Sequence, residues 1–440
     1  MLSSNIKRKL ANIGVVLALA AALAAWIALP WFGILALVAA LIAWLFTTRS
    51  GRLSLAAAMP GIASLPQRWG ASLVIVVGIA GVVSVLVAML AMGEGFAATL
   101  KGTGNARTAI LLRGGSQAET NSVISREQVP LIEALPGIAK TAEGKPLVSP
   151  ELSQIVSLQS KNDGLDVNAQ LRGVGPHAWA IRPQLKIIEG RAFSPGLREL
   201  VVGQGARSQF RGLDVGKTLE FANQPWTVVG VFASNDAHDS ELWADAQTVA
   251  STYNRPAYQS VTARLDGATG FKQLQNALSD DPRLKLDALT TRDYYSKQSA
   301  GLSRLIRVLG TVIGAIMAIG AVFGALNSMY AAVAGRAREI ATMRAIGFSG
   351  LPVVVAVMLE TMLLALLGGV IGAALAWLVF NNYSVSTLGS NFSQVVFQFK
   401  VSPALLWTGL KWALGIGLIG GLFPALRAAR LPVTAALRAV

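Results

Sequence analysis

The chain has 440 residues, 53% of them hydrophobic and only 14% charged, with a mean hydropathy of +0.52. That is more apolar than the surface of an ordinary soluble domain tolerates, so the composition points to a membrane protein. The net charge of +15 does not indicate a nucleic-acid binder, because residues 93–303 hold 22 Lys/Arg against 21 Asp/Glu and the basic excess lies elsewhere, among apolar segments.

A bilayer core needs about 20 apolar residues per helix. Six stretches approach or exceed that length: Ala11–Leu29, Trp31–Thr47, Ala71–Met92, Leu305–Val333, Val353–Phe380 and Ala404–Leu422. The first follows Lys7, Arg8 and Lys9 and resembles a secretory signal. A second apolar run begins only two residues after it, which favours a retained hairpin over residues 1–47. Residues 48–70, with Gly51, Pro60, Gly61 and Pro66, read as a cytoplasmic linker or as an interfacial helix interrupted at Pro60. Residues 71–92 form the third span.

Residues 93–303 are polar and turn-rich, and long enough to bury cores of their own. Alternation predicts strands at Ala109–Leu112, Gln154–Leu158, Val167–Leu171, Leu200–Gly203, Thr218–Phe221, Trp226–Phe232 and Val261–Leu265. Helices are predicted at Ser125–Leu135, where Gln128 stands at capping-box spacing from Ser125, and at Phe271–Leu278. Two subdomains are expected, with boundaries near Val174 and Ser260. The chain has no cysteine, so disulfides contribute nothing to this domain.

From Arg292 no strong helix breaker occurs until about Ala345, and one continuous helix of that length would extend about 80 Å. Asn327 and Ser328 are the expected place for a bend. Positive residues beside apolar helices stay cytoplasmic. Lys7–Lys9, Arg49 with Arg52 and Arg68, Arg336 with Arg338 and Arg344, and Arg427 with Arg430 and Arg438 all lie inside if there are six spans with both termini cytoplasmic. The fold class is therefore a polytopic α-helical membrane protein of about six transmembrane helices with a large mixed α/β extracytoplasmic domain.

Gly212-Leu-Asp-Val-Gly-Lys-Thr218 ends like a phosphate-binding loop but has three residues between its glycines where four are needed, and it precedes a strand. A turn is the better reading, and the chain is not its own ATPase. His177 and His238 are the two histidines; Asp236, Asp239, Glu241 and Asp245 surround the second, and solvated loop charges account for them better than a metal or acid/base site. No catalytic, cofactor or metal residues are assigned. Glycines four apart (310 and 314, 320 and 324, 368 and 372, 417 and 421) allow close helix packing, within the chain or between copies. Glu360 is the acidic residue inside a span, and a clasp with Arg344 or Arg427 is expected. In the stretch 334–350, Ile340, Met343 and Gly347 share one helical side, while Arg336 and Arg344 stand two turns apart on another. Such a helix either docks into a partner's groove or lies on the membrane surface.

Arg338-Glu-Ile-Ala-Thr-Met-Arg-Ala-Ile-Gly347, followed by a span with Glu360 and Gly368-Gly369, resembles the permeases of the MacB/FtsX superfamily of ABC transporters. Gly421-Leu-Phe-Pro-Ala-Leu-Arg-Ala-Ala-Arg430 and Ala436-Leu-Arg438 are similar to that family's C-terminal signature, with Pro424, Arg427, Arg430 and Arg438 as its members here. Gly190-Arg-Ala-Phe, Val201-Val-Gly and Val228-Val-Gly-Val-Phe232 resemble its periplasmic core domain. The resemblance implies a MacB-like periplasmic domain over 93–303 and an FtsX-like domain over 304–440. It also implies a non-catalytic subunit in the bacterial inner membrane, paired with a second permease and driven by a separate ABC ATPase that holds the ATP and Mg²⁺. Arg336, Arg338, Glu339, Ile340, Met343, Arg344, Ile346, Gly347 and Phe348 would form the ATPase-coupling element. Export or envelope-substrate handling by mechanotransmission follows, with a periplasmic adaptor and outer-membrane channel as further partners in an efflux setting. The alternative is an FtsX-like scaffold that regulates a cell-wall hydrolase. The hairpin over 1–47 is an addition to the family pattern.

Overall fold

The computed structural model describes residues 25–26, 28–281, 283–389 and 393–432. The expected first span, Ala11–Leu29, lies almost wholly outside them, as do Lys7–Lys9. In chain order the structure opens with α1 (Trp31–Thr47), α2 (Arg49–Ala63), α3 (Trp69–Thr103), β1 (Thr108–Arg113), β2 (Ile124–Ser125) and α4 (Gln128–Glu133). There follow β3 (Val148–Gln159), β4 (Asp166–Val174), α5 (Ala178–Ile181), β5 (Lys186–Gly190), β6 (Glu199–Gly203), α6 (Gln204–Gln209), β7 (Thr218–Phe221) and β8 (Gln224–Ala233). Then come β9 (Glu241–Asp245), α7 (Ala246–Thr252), β10 (Ala257–Tyr258), β11 (Ser260–Arg264), α8 (Gly270–Asp280) and β12 (Leu286–Thr290). The chain ends in α9 (Thr291–Gly335), α10 (Ala337–Ala345), α11 (Gly350–Phe380), β13 (Ser384–Leu388), β14 (Gln394–Gln398) and α12 (Pro403–Ala429). These elements form two compact units: a helical one (residues to Ala91, Arg307–Asn381 and Lys400 onward) and a sheet one (Met92–Ile306 and Asn382–Phe399).

In the helical unit, four described helices (α3 with the short turn before it, α9, α11 and α12) are long and apolar enough to cross a membrane, or five spans if the bent pair α1–α2 counts as one. The corner between α1 and α2 turns through 94° at Thr48. The Thr48 hydroxyl accepts from Gly51 N at 2.9 Å, capping α2, and a Cβ on Gly51 would collide with the Trp44 carbonyl. Pro60 does not interrupt α2, which runs through it to Ala63; it sits in the last turn, where its missing N–H removes one i→i−4 bond just before the helix ends.

Small residues bring the helices together. A Cβ on Gly372 would lie 2.5 Å from the Ala80 carbonyl and one on Gly368 2.8 Å from that of Val76, so α11 rests on the backbone of α3. Gly310 and Gly314 meet Met89 and Leu86, and Gly417 and Gly421 of α12 meet Ala365 and Thr361 of α11. Gly320 and Gly324 alone of the four pairs have nothing within 4 Å among the described residues.

The predicted strands of the sheet unit all form, extended by a few residues at their ends, and α8 covers the predicted helix. The helix predicted from Ser125 shortens to α4, although Ser125 N still donates to the Gln128 side chain at 3.1 Å. Gly212 and Gly216 adopt positive φ (79° and 85°) in the turn leading into β7, in agreement with the turn reading of that motif. Besides the two-stranded pairs β10-β2 and β13-β14, the strands form one ten-stranded sheet in the order β12-β1-β11-β3-β4-β9-β6-β8-β5, with β7 on β8. Strand β3 joins its halves: residues 148–151 pair with β11, and residues 152–159 with β4. Each half keeps its own apolar core, one around Leu111, Val261 and Leu274, the other around Leu171, Val202 and Trp226.

One expectation along the chain is corrected, and one element is new. The long helix after Arg292 breaks at Arg336 (φ −109°, ψ 13°), not at Asn327 and Ser328, so α9 is 45 residues and about 67 Å long. The connection between α11 and α12, for which the sequence reading offered no element, is a β-hairpin within the sheet unit. Val396 N donates to the Ser240 hydroxyl at 2.7 Å, and Phe397 packs edge-on against Phe96 at 5.5 Å. The β-branched and aromatic run Val395-Val396-Phe397 was the available signal.

Candidate functional site

The functional residues expected in 334–350 lie in the helical unit, where α9 ends and α11 begins. Gly335 and the non-helical Arg336 terminate α9, and α10 follows at once. Its C-terminus is a Schellman motif: Phe348 N donates to the Met343 carbonyl at 3.1 Å and Gly347 N to that of Arg344 at 3.2 Å. Gly347 has φ 107°, a conformation for which glycine is the natural residue. Phe348 and Met343 pack in one apolar cluster, the contact that accompanies this cap.

The apolar side of α10 is turned into the chain's own packing. Ile340 is buried, and Met343 and Phe348 rest on Ala57, Ala58 and Ala356 of α2 and α11. Arg338, Glu339 and Ile346 face outward, Ile346 at 71% exposure. A partner would therefore meet a mixed charged and apolar edge and not the Ile340–Met343 stripe.

Glu360 pairs differently from the expectation. Its Oε1 accepts from Arg68 Nη2 at 2.7 Å and its Oε2 from Arg336 Nη1 at 3.2 Å, while Arg336 Nε also donates to Glu339 at 2.8 Å. Arg344 and Arg427 take no part. Arg344 donates to the Leu431 carbonyl at 2.7 Å, and Arg427 lies over the Tyr330 ring, 5.4 Å from its centroid. Position along the chain could not reveal that α2 folds back and carries Arg68 to the carboxylate. Pro424 is buried inside α12, Arg430 caps that helix from an exposed position, and Arg438 lies outside the described residues.

A second charge cluster sits in the sheet unit where β3 changes partners. All five N–H groups of Arg172 are used: Nε and Nη2 on Glu241 (2.9 and 3.0 Å), Nη1 and Nη2 on Glu119 (2.9 and 3.1 Å), and Nη1 on Glu151 (3.0 Å). Arg182 reaches Glu151 at 2.7 Å and stacks over the Trp243 ring. Ser260 and Trp243 donate to Glu119 and Glu241. Burial alone would raise the Glu151 carboxyl, but the guanidiniums of Arg182 and Arg172 outweigh it and hold it at about 2. Glu241 and His238 are thus buried structural groups, not the solvated loop charges expected. His238 Nδ1 lies 3.0 Å from Asp236, and Asp245 caps α7 through Thr248. Asp236 and Asp239 both accept from the Ser234 hydroxyl (2.6 and 3.1 Å) while Glu241 turns to Arg172, and no cluster of metal-ligating side chains occurs among the described residues.

An apolar helical unit and a mixed α/β unit in one chain, with a short charged helix between two membrane-length helices, fit a membrane protein with a large domain outside the bilayer. A family profile for the MacB-like periplasmic core domain matches residues 72–281, and one for the FtsX-like permease C-terminal domain matches residues 311–433. The chain belongs to the MacB/FtsX superfamily of ABC transporter permeases. It is 29% identical over 396 residues to the macrolide export ATP-binding/permease protein MacB of Chromobacterium violaceum and 26% identical over 383 residues to that of Photorhabdus laumondii. Each match covers 83% of this chain and 57% of the relative, so the chain spans little more than half their length, in their permease region. Among solved structures it is similar to the periplasmic region of MacB from Actinobacillus actinomycetemcomitans (17% identity, TM-score 0.34, 45% of this chain and 94% of that one). The extracellular domain of the ABC-type transporter YknZ is similar too (17%, TM-score 0.32, 42% and 100%). The protein is membrane-embedded with a periplasmic domain.

Proposed function

We propose that this chain is the permease subunit of an inner-membrane ABC transporter that works by mechanotransmission, with both termini cytoplasmic. A separate ATPase binds the ATP and Mg²⁺, and this chain binds no cofactor. The observation that carries the reading is α10: a capped helix whose inner face is locked to α2 and α11 and whose outer edge offers Arg338, Glu339 and Ile346. A helix held in this way transmits a push from the ATPase without deforming. Helices α3 and α9, at about 52 and 67 Å, exceed the roughly 30 Å apolar thickness of a bilayer and supply the levers for the periplasmic domain. The Gly320–Gly324 face of α9, uncovered among the described residues, suits a second permease, the same or a sister chain. Lipid is the other partner, nucleic acid is not one, and an adaptor with an outer-membrane channel joins if the system exports across the envelope. The macrolide export named for the MacB relatives favours efflux or envelope-substrate handling here.

The test is ATPase stimulation in a reconstituted complex. Arg338→Glu, at an exposed position, should abolish most of the stimulation while insertion and yield stay normal, and Arg344→Glu should do the same with some loss of stability from its bond to Leu431. Full stimulation by Arg338→Glu would remove α10 as the coupling element.

A further inference from the structure

The Glu360 clasp is built in part from residues outside both matched regions. Arg68, Gly61 and the whole of α2 precede residue 72, where the first match begins. Three observations show that this segment does more than lie beside the core helices. Its buried face consists of Gly51, Ser54, Ala57, Ala58 and Gly61, a small-residue side that lets the α2 backbone approach α11. Gly61 stands where a Cβ would lie 2.6 Å from Arg336 Nη1 and 2.9 Å from Glu360 Oε2, so any larger residue displaces one of the two. Arg68 donates to Glu360, to Ser64 Oγ at 3.0 Å and to the Gly61 carbonyl at 3.3 Å, tying the carboxylate to the end of α2.

Arg336 is the residue at which α9 gives way to α10, and its guanidinium bridges Glu339 on α10 and Glu360 on α11. The angle of that corner is therefore set by where Glu360 holds the Arg336 side chain. Glu360 is in turn held from the other side by Arg68. With Glu360 only 3% exposed, a lost partner leaves a buried carboxylate short of compensation, so the corner has one favoured arrangement.

We infer that the segment 48–68 is a built-in brace that fixes the α9–α10 corner through Glu360, with Arg68 and Gly61 as positioning residues for the coupling step. This rests on α10 being the coupling element. Removal of the brace leaves the outer edge of α10 chemically intact but lets its direction vary, so that pushes from a partner are dissipated.

The absence of cysteine allows clean double labelling. Spin labels at Asn327→Cys on α9 and Thr342→Cys on α10, both exposed, report the corner directly in the full chain reconstituted in lipid with its ATPase. The parent should give one narrow distance distribution. Gly61→Leu, Arg68→Gln and Glu360→Gln should each broaden it and reduce ATPase stimulation about tenfold, and Gly61→Leu combined with Glu360→Gln should do no more than either alone. Arg68→Lys, which keeps the charge, should restore most of both signals. Narrow distributions in Arg68→Gln and Glu360→Gln would overturn the brace. If the parent chain stimulates no ATPase at all, the coupling function fails, whereas the distance distributions still decide whether the brace exists.

Discussion

Replacing Arg172 by methionine, which has similar length and no charge, leaves Glu119, Glu151 and Glu241 buried without the cation they share. Arg172 side-chain exposure is 2%, and that of the three carboxylates is 2%, 0% and 8%, so water cannot take its place. Loss of one partner from a buried ion pair costs about 3–5 kcal/mol. Arg182 still compensates Glu151, which argues for the lower end, about 3 kcal/mol. The cluster lies where β3 passes from β11 to β4, so the loss should appear first as opening of strands β3, β4 and β9. Hydrogen exchange read by mass spectrometry on the full chain in detergent measures this locally, and about 3 kcal/mol corresponds to a roughly hundredfold fall in protection. Peptides from α11 and α12 should keep their protection. A fall of less than about fivefold in β4, or an equal fall in α12, would refute the reasoning, because the cluster would then be marginal or its effect not local.

Glu151 predicts a pH dependence. Its folded carboxyl is held at about 2 against an ordinary 4.5, so its contribution is complete above pH 4.5 and is lost as pH falls toward 2, about 3 kcal/mol in all. The stability gap between the parent and Glu151→Gln, from urea midpoints followed by tryptophan fluorescence, should be constant above pH 5 and close between 4.5 and 2; an equal gap at pH 3 and pH 6 would contradict the assignment. The glycine pairs predict a contrast. Gly372→Leu drives a side chain into the Ala80 carbonyl and should cost about 1–3 kcal/mol or more, while Gly320→Leu, with no described atom within 4 Å, should stay within about 0.5 kcal/mol. Thermal unfolding of monomeric protein in detergent separates the two, and matching losses would mean that the small residues do not set the packing.

What the amino-acid order determined by itself follows from local physics. Long apolar runs, a nearly neutral domain between basic flanks and period-two alternation depend on neighbouring residues only, and they made the four long apolar helices from residue 71 onward, seven of the strands and the C-terminal end of the helix over 337–345 legible. Gly347 marked the end of α10 because a left-handed residue is needed there whatever surrounds it. Contacts across long sequence separations were decided only by the tertiary structure. Glu360 could be read as a charge in need of a partner, but the choice of Arg68, 292 residues away, over Arg344 depended on α2 folding back against α11. Arg172 looked like any strand residue until the strand switch in β3 brought three carboxylates to it. Ile340 and Met343 made an apolar stripe in sequence, and only packing showed that the chain itself, through α2 and α11, already covers it. A helix or strand is a property of a segment, whereas a buried charge is satisfied by groups the whole fold must assemble, which is why the elements could be read early and the partners could not.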